Sequence, residues 1–369
     1  MECITKKEDT LNKGVDAMPV NRRNPMEFQG NVNKRNYFEG WYYKQVSQHG
    51  KLTLALIPGI SLFDRDKHSF IQYILSYTDE KEEKNLVTGY VRYPVEAFTY
   101  QKDPFKVKVG KSIFTEKKIF LDLKDQYRYF QGTLEIHPFT PIPTGLFAPS
   151  IMGPFAYFPG MECNHGVVSM NHDIMGTIQM NDQSLKFNYG RGYIEKDWGS
   201  SFPEEYIWMQ CNTFDTPETS LFFSIAHIPF LGRSFQGHIG NLLLKKKQYR
   251  FATYNGTKIS TLQRRGKEIS VVAENKEARL ALTAIPDQER ELIAPVGGKM
   301  ERVIKEGITG TVTFELLDKK TGETHRDRGK AAGIEVVVEE KRRNKKLRIE
   351  EVAPEDEGLE SKEEDSVST

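Results

Sequence analysis

The sequence lacks several features that would point directly to a function. It has only three cysteines in 369 residues, and none lies in the CxxC spacing of a metal site. It contains no phosphate-binding loop, no nucleophile elbow and no G-x-G-x-x-G motif, and no His, Cys and carboxylate set has metal-ligand spacing. We therefore expect no metal and no other cofactor.

A strong charge of either sign and long apolar runs are also missing. The formal net charge is +1, so the chain has no overall field to attract nucleic acid. No apolar stretch approaches the roughly 20 residues of a membrane-spanning helix, and the polar first residues do not resemble a signal peptide. We expect a cytoplasmic protein without a nucleic-acid partner, for which peripheral membrane contact stays open.

What the sequence has instead is a succession of short alternating runs rich in β-branched and aromatic residues. Examples are residues 51–58, 69–77, 85–93, 118–123 and 129–136, and similar runs continue from 166 to 341. The runs are separated by turn residues, and Asn255-Gly256 between two of them predicts a hairpin. The pattern predicts an all-β chain whose sheets are closed or nearly closed.

The length suits two domains with tails. We expect an arm over 1–30, a first β domain over 31–183, a second over 184–340 and a charged disordered tail over 341–369. Within the first domain, proline-rich residues 137–163 predict a long loop with a large apolar surface.

Residues 190–198, GRGYIEKDW, combine charged and aromatic side chains that could take part in acid–base chemistry. Strand alternation would place Arg191, Tyr193, Glu195 and Asp197 on one face, with the two carboxylates roughly 6–7 Å apart at Cα. Such a pair in an apolar pocket raises one pKa, so that a neutral carboxyl could donate a proton, although Arg191 would favour its ionised form. The alternative is a structural ion-pair network in which Arg191 or Lys196 satisfies the carboxylates.

A second run, YFEGWYYK at 37–44, would place Glu39, Trp41 and Tyr43 on one face. Such an aromatic wall with one acid could bind an isoprenoid and stabilise a carbocation. The alternative is an aromatic core strand with a buried, hydrogen-bonded Glu39. His165 follows the proline-rich loop and is a further candidate for the site.

Three segments carry a family resemblance: YFEGWYYK, MECNHGVVSM, and above all GRGYIEKDWGSSFPEEYIWMQCNTF. In the same order over most of residues 33–338, the chain resembles the tocopherol cyclase family and, more faintly, the carotenoid 1,2-hydratases. The resemblance implies two lipocalin-like antiparallel β-barrel domains packed together, with a ligand cavity near their junction. It also implies chemistry in which an acid protonates an isoprenoid double bond and a tertiary carbocation forms.

Carried onto this chain, the resemblance assigns the acid to Glu195, with Tyr193 as its companion. Asp197 and His165 become second acids or orienting groups. The residues expected to bind the substrate are Glu39, Trp41, Tyr43, Arg191, Trp198 and Trp208.

The function predicted from these assignments is acid-catalysed cyclisation of a prenylated phenol or quinol to a chromanol, in a bacterial protein. The partner is then a hydrophobic small molecule. Two alternatives stay open, hydration of an isoprenoid double bond and non-catalytic binding of a lipid or quinone. The oligomeric state has no signal in the sequence.

Overall fold

The computed structural model describes residues 24–79, 81–230, 232–338 and 347–353, and most of them lie in strands. Two sheets follow each other along the chain. The first contains β1 Phe38–Val46, β2 Thr53–Ser61, β3 His68–Thr78, β4 Lys84–Pro94, β5 Phe98–Gln101, β6 Lys106–Val109, β7 Ser112–Thr115, β8 Lys118–Lys124, β9 Tyr129–Ile136, β10 Cys163–Met180, β11 Gln183–Lys186 and β12 Gly190–Gly199.

The second sheet contains the remaining strands of the described chain. They are β13 Tyr206–Cys211, β14 Ser220–Phe230, β15 Arg233–Leu244, β16 Lys247–Ala252, β17 Lys258–Arg265, β18 Glu268–Glu274, β19 Ala278–Ile285, β20 Arg290–Val296, β21 Lys299–Asp318, β22 Thr324–Val337 and β23 Glu350–Glu351. Three single-turn 3-10 helices, Val95–Ala97, Gly153–Tyr157 and Thr253–Asn255, interrupt the strands.

Both sheets have the same topology. The first runs in the order β4-β3-β2-β1-β12-β10-β9-β8-β7-β6-β5 and the second in the order β16-β15-β14-β13-β22-β21-β19-β18-β17, followed by the short β23. In each, a meander of four strands leads through a 3-10 turn to the strand at the opposite end of the order, so each sheet curls around its own core. The prediction of an all-β fold with two antiparallel, lipocalin-like sheets is confirmed.

The chain passes from one sheet to the other between Gly199 and Tyr206, later than the predicted division at 183/184. Strand β12 belongs to the first sheet because it pairs with β1 on one side and β10 on the other. Residues 137–162 form no strand, as their prolines predict, and contain one 3-10 turn.

The predicted hairpin at Asn255-Gly256 needs correction. In the described chain, β16 pairs with β15 and β17 pairs with β18, and no ladder joins β16 to β17. Gly256 has a φ of 81°, and the turn there carries the chain between the two ends of the sheet order.

The predicted tails fall mostly outside the described residues, namely 1–23, 339–346 and 354–369. Within the C-terminal segment, however, residues 347–353 are ordered against the second sheet. Leu347 is buried, its backbone N–H donates to Glu205 Oε2 over 2.7 Å, and β23 pairs in parallel with β17. An apolar side chain and a short ladder therefore hold a segment that its charged composition predicts to be disordered.

Buried side chains form three groups. Each sheet encloses one, and a third lies between the sheets and includes Tyr42, Tyr193, Tyr206 and Trp208. Among the described residues, no helix has the length and apolar character that crossing a bilayer requires.

A buried ion pair lies within the first sheet, and residues 29 and 30 of the predicted N-terminal arm also bind to it. Lys196 Nζ lies 2.6 Å from Glu39 Oε1, and both side chains are fully buried. Tyr37 donates to Glu39 Oε2 over 2.5 Å, and the backbone N–H groups of Gln29 and Gly30 donate to the same carboxylate. Both oxygens of the carboxylate have donors, so these hydrogen bonds and the Lys196 ammonium offset the desolvation cost of the buried charge.

Removing this ion pair should destabilise the protein. Glu39→Gln leaves a buried Lys196 ammonium without its counter-charge, so we expect the free energy of unfolding to fall by about 3–5 kcal/mol in urea denaturation. The exposed pair Lys84–Asp287 provides the control, since Asp287→Asn should change the free energy of unfolding by less than about 1 kcal/mol. Equal effects of the two substitutions would contradict this assignment.

Candidate functional site

A cavity of about 190 Å³ lies between the two sheets. Strands of both sheets, the end of the proline-rich loop and the linker after β12 line it. Its walls are largely aromatic and aliphatic, and they include Phe38, Ile57, Phe70, Met152, Phe155, Phe202, Leu292, Met300 and Ile304. Five acidic residues line this apolar space: the exposed Glu162 and the more buried Glu195, Asp197, Glu306 and Glu335.

Strand β12 supplies the first pair of buried carboxylates, Glu195 and Asp197. Its alternation turns Tyr193, Glu195 and Asp197 toward the second sheet, while Lys196 faces the core of the first sheet. Tyr193 donates to Glu195 Oε2 over 2.6 Å, and Trp208 Nε1 donates to the same oxygen over 3.3 Å. Glu195 is thus held by one donor from its own strand and one from the other sheet.

His165 on β10 lies beside both of these carboxylates. Its Nδ1 is 2.8 Å from Asp197 Oδ1, and its Nε2 is 3.4 Å from Glu195 Oε2, without hydrogen-bond geometry. Its ring stacks on Phe222 of the second sheet at 4.7 Å. Burial alone would lower the pKa of His165, but Asp197 and Glu195 outweigh it and raise the pKa to about 10, so the imidazole carries a proton at neutral pH.

The second pair of carboxylates comes from β21 and β22. Glu306 and Glu335 are directly opposite each other in the ladder, and both are buried. Tyr42 donates to Glu306 Oε1 and Tyr206 donates to Glu335 Oε2, each over 2.5 Å. Burial raises the pKa of Glu306 to about 7, and burial together with the Glu306 charge raises the pKa of Glu335 well above its usual range.

Three buried phenols therefore serve three different glutamates around one cavity. Burial and the adjacent carboxylates raise the pKa of Tyr42, Tyr193 and Tyr206 well above the usual range of tyrosine, so each remains a neutral donor. A buried carboxylate requires such donors, because without them its desolvation is not compensated.

Three residues predicted to bind the substrate, Glu39, Trp41 and Tyr43, do not line the cavity. They face the core of the first sheet, where all three are fully buried. The prediction that this face of β1 binds the substrate therefore needs correction, because Gly40 and Tyr42 on the opposite face line the cavity. The core-strand interpretation, with a buried and hydrogen-bonded Glu39, describes the observed structure.

Two further predicted residues also lie elsewhere. Arg191 pairs with Asp173 and does not line the cavity. Trp198 packs against the core of the first sheet, with Lys196 Nζ 4.9 Å from its ring centre. Trp208, by contrast, lines the cavity. The structure thus brings together Tyr193, Glu195, Asp197, His165 and Trp208 of the predicted set.

Sequence reasoning missed Tyr42, Tyr206, Glu306 and Glu335. One signal was available for Glu335, a lone acid in the apolar run GIEVVV, which is costly to bury unless it has a partner or a function. Glu306 has no comparable signal, since its surroundings, VIKEGITG, read as an ordinary strand.

The donor atoms of His165, Glu195 and Asp197 lie within 4.8 Å of one another, close enough to surround one metal ion. A metal ion bound there would have to displace the proton that the two carboxylates keep on His165 at neutral pH.

The raised pKa of His165 predicts how stability depends on pH. The folded state retains a proton that the unfolded chain releases near pH 6.5. The contribution of this proton to the free energy of unfolding is therefore complete below about pH 6.5 and is lost as the pH rises toward 10. Relative to His165→Gln, the wild type should lose up to about 1.4 kcal/mol per pH unit across this window in urea denaturation. If the free energies of unfolding of the wild type and His165→Gln changed with pH in the same way, this would contradict a protonated His165.

The chain is similar to known proteins both in sequence and in fold. The chain is 32% identical over 65 residues to a probable chloroplastic tocopherol cyclase of Oryza sativa subsp. japonica, a match over 18% of this chain and 14% of the relative. A chloroplastic tocopherol cyclase of Zea mays matches to the same extent. The chain thus spans only a small part of the length of the curated relatives it matches.

Among solved structures, CghA superposes with a TM-score of 0.50 at 8% identity, over 81% of this chain and 88% of the other. At this identity the similarity shows the fold alone. The family model described as tocopherol cyclase-like matches residues 115–337, more than half of the chain and including β10 and β12, which carry the His165 cluster. The chain belongs to the tocopherol cyclase-like family.

Proposed function

We propose that this protein is an enzyme that protonates an isoprenoid double bond and cyclises a prenylated phenol or quinol to a chromanol. The observation that carries the proposal is Glu195, a buried carboxylate that faces an apolar cavity, with Tyr193 and Trp208 donating to it. Family membership supports the same class of chemistry.

The dimensions of the cavity support a substrate whose ring enters and whose tail stays outside. A cavity of about 150 Å³ admits benzene, so about 190 Å³ suits one aromatic ring with the first carbons of its side chain. A longer tail would lie along an aromatic path from Phe155 and Phe235, which line the cavity, to Phe158, which is 44% exposed.

In the proposed reaction, the protonated His165 first passes its proton to the adjacent Glu195 carboxylate, and Glu195 then passes this proton to the double bond. A C–H bond forms, and the positive charge moves to the tertiary carbon. The faces of Trp208 and Tyr42 in the cavity would stabilise this cation, as would the nearby carboxylates. The apolar walls would keep water away from the cation, so that the phenol oxygen closes the ring.

His165 would keep the two β12 carboxylates in place. Its hydrogen bond to Asp197 and its stacking on Phe222 hold the imidazolium beside Glu195. This position allows it to supply the proton to Glu195, and it takes up a new proton from solvent after each turnover. We propose an orienting and proton-supplying role for His165 and Asp197.

Mass spectrometry of the products distinguishes this function from its rivals. Incubation with a prenylated hydroquinone should give a product of unchanged mass without the free phenol. Hydration would add the mass of water, and a carrier would return unchanged ligand at stoichiometric occupancy.

Glu195→Gln should lower turnover of the prenylated hydroquinone by at least about 100-fold, because the amide cannot donate the proton. Binding should persist, since the amide has nearly the same shape. Turnover is followed by mass spectrometry and binding by quenching of tryptophan fluorescence. The matched control Glu135→Gln changes an exposed glutamate of the same sheet and should leave turnover unchanged. Full activity of Glu195→Gln would remove Glu195 from the role of acid.

A further inference from the structure

The Glu306–Glu335 pair takes no part in the protonation of the double bond, although both side chains line the cavity. Cross-strand neighbours in an antiparallel ladder have Cβ atoms about 4.5–5.5 Å apart, so two ionised carboxylates at these positions would repel each other. Neither is exposed to water, which makes that repulsion stronger than at a surface.

Hydrogen bonding identifies where a proton would sit. Glu306 Oε2 is buried, and no donor from the described residues reaches it, while Tyr42 occupies Oε1. The adjacent polar group is the Glu335 carboxyl, which can donate only when it is protonated. One proton shared between the two glutamates would satisfy the unpartnered oxygen and remove the repulsion.

The surrounding charges are consistent with a pair that holds one proton. Burial disfavours two negative charges on the pair, while the Tyr42 hydrogen bond and the Lys44 ammonium favour one negative charge on Glu306. The titratable and charged groups that face the pair from the strands around it are Tyr42 and Lys44 on β1, His165 on β10, Glu195 and Asp197 on β12, Tyr206 on β13 and Arg302 on β21 itself.

We propose that Glu306 and Glu335 share a single proton and act as the general base of the site. This inference rests on the proposed function. When the substrate oxygen bonds to the tertiary carbon, a C–O bond forms and the O–H bond breaks. The released proton passes to the Glu306 carboxylate, and the doubly protonated pair then loses one proton to solvent. Glu195 and the glutamate pair thus serve the two proton transfers that the reaction requires.

Two substitutions separate a base from a merely structural pair. Glu306→Gln should lower kcat at least about 100-fold with little change in KM, because the oxygen that accepts the proton is gone. Glu335→Leu removes the hydrogen-bond donor that lowers the pKa of Glu306, so that this pKa should rise. The variant should retain activity at alkaline pH, and the acid-side fall of kcat, expected near pH 7 in the wild type, should move to higher pH.

The matched control is Glu315→Gln, a glutamate on the same strand that pairs with Arg326 outside the cavity and should change neither kcat nor its pH profile. Thermal unfolding of each variant separates loss of activity from loss of the fold. Wild-type kcat in a folded Glu306→Gln variant, or an unmoved pH profile in a folded Glu335→Leu variant, would overturn the inference while leaving the proposed function intact.

Infrared difference spectra between acidic and alkaline pH test the shared proton without any substrate. The wild type should show a buried carboxyl band that titrates near neutral pH and disappears in Glu306→Gln. An identical band in wild type, Glu306→Gln and Glu335→Leu would overturn the shared proton. Failure of the wild type to turn over any prenylated hydroquinone would instead overturn the proposed function.

Discussion

The burial of carboxylates between two sheets is the constraint on which the rest of this structure depends. Transfer of an isolated carboxylate into an apolar space costs far more than a domain's entire stability, so each must be neutralised or fully hydrogen-bonded. The fold meets this requirement with tyrosines: Tyr42, Tyr193 and Tyr206 each donate to a different glutamate. These hydrogen bonds also position the carboxyl groups for chemistry.

The two faces of β12 show how the same residue types serve different purposes. On one face, Lys196 cancels the charge of Glu39 inside the first sheet, and the result is a closed and satisfied ion pair. On the other face, the Glu195 carboxylate borders a cavity, and its charge is offset only in part by His165. The first arrangement stabilises the fold, whereas the second retains protons where a ligand can reach them.

The position of the cavity follows from the arrangement of the sheets. Each sheet fills its own interior with apolar side chains, so the remaining space lies where the two outer faces meet. His165, Glu195 and Asp197 come from the first sheet, and Trp208, Glu306 and Glu335 come from the second. Neither sheet alone contains both carboxyl pairs, which makes their mutual packing a condition for the proposed reaction.

The sequence by itself determined the all-β character, the irregular proline-rich loop and the shared face of Tyr193, Glu195 and Asp197, because these depend on local periodicity and backbone geometry. It could not determine which face of β1 meets the cavity, since both faces of that strand are buried and apolar alternation is absent. The meeting of Glu195 with Glu306, more than a hundred positions away, was decided only by tertiary structure. Contacts between sheets depend on how two curved surfaces pack, and no periodicity in the sequence reports that geometry.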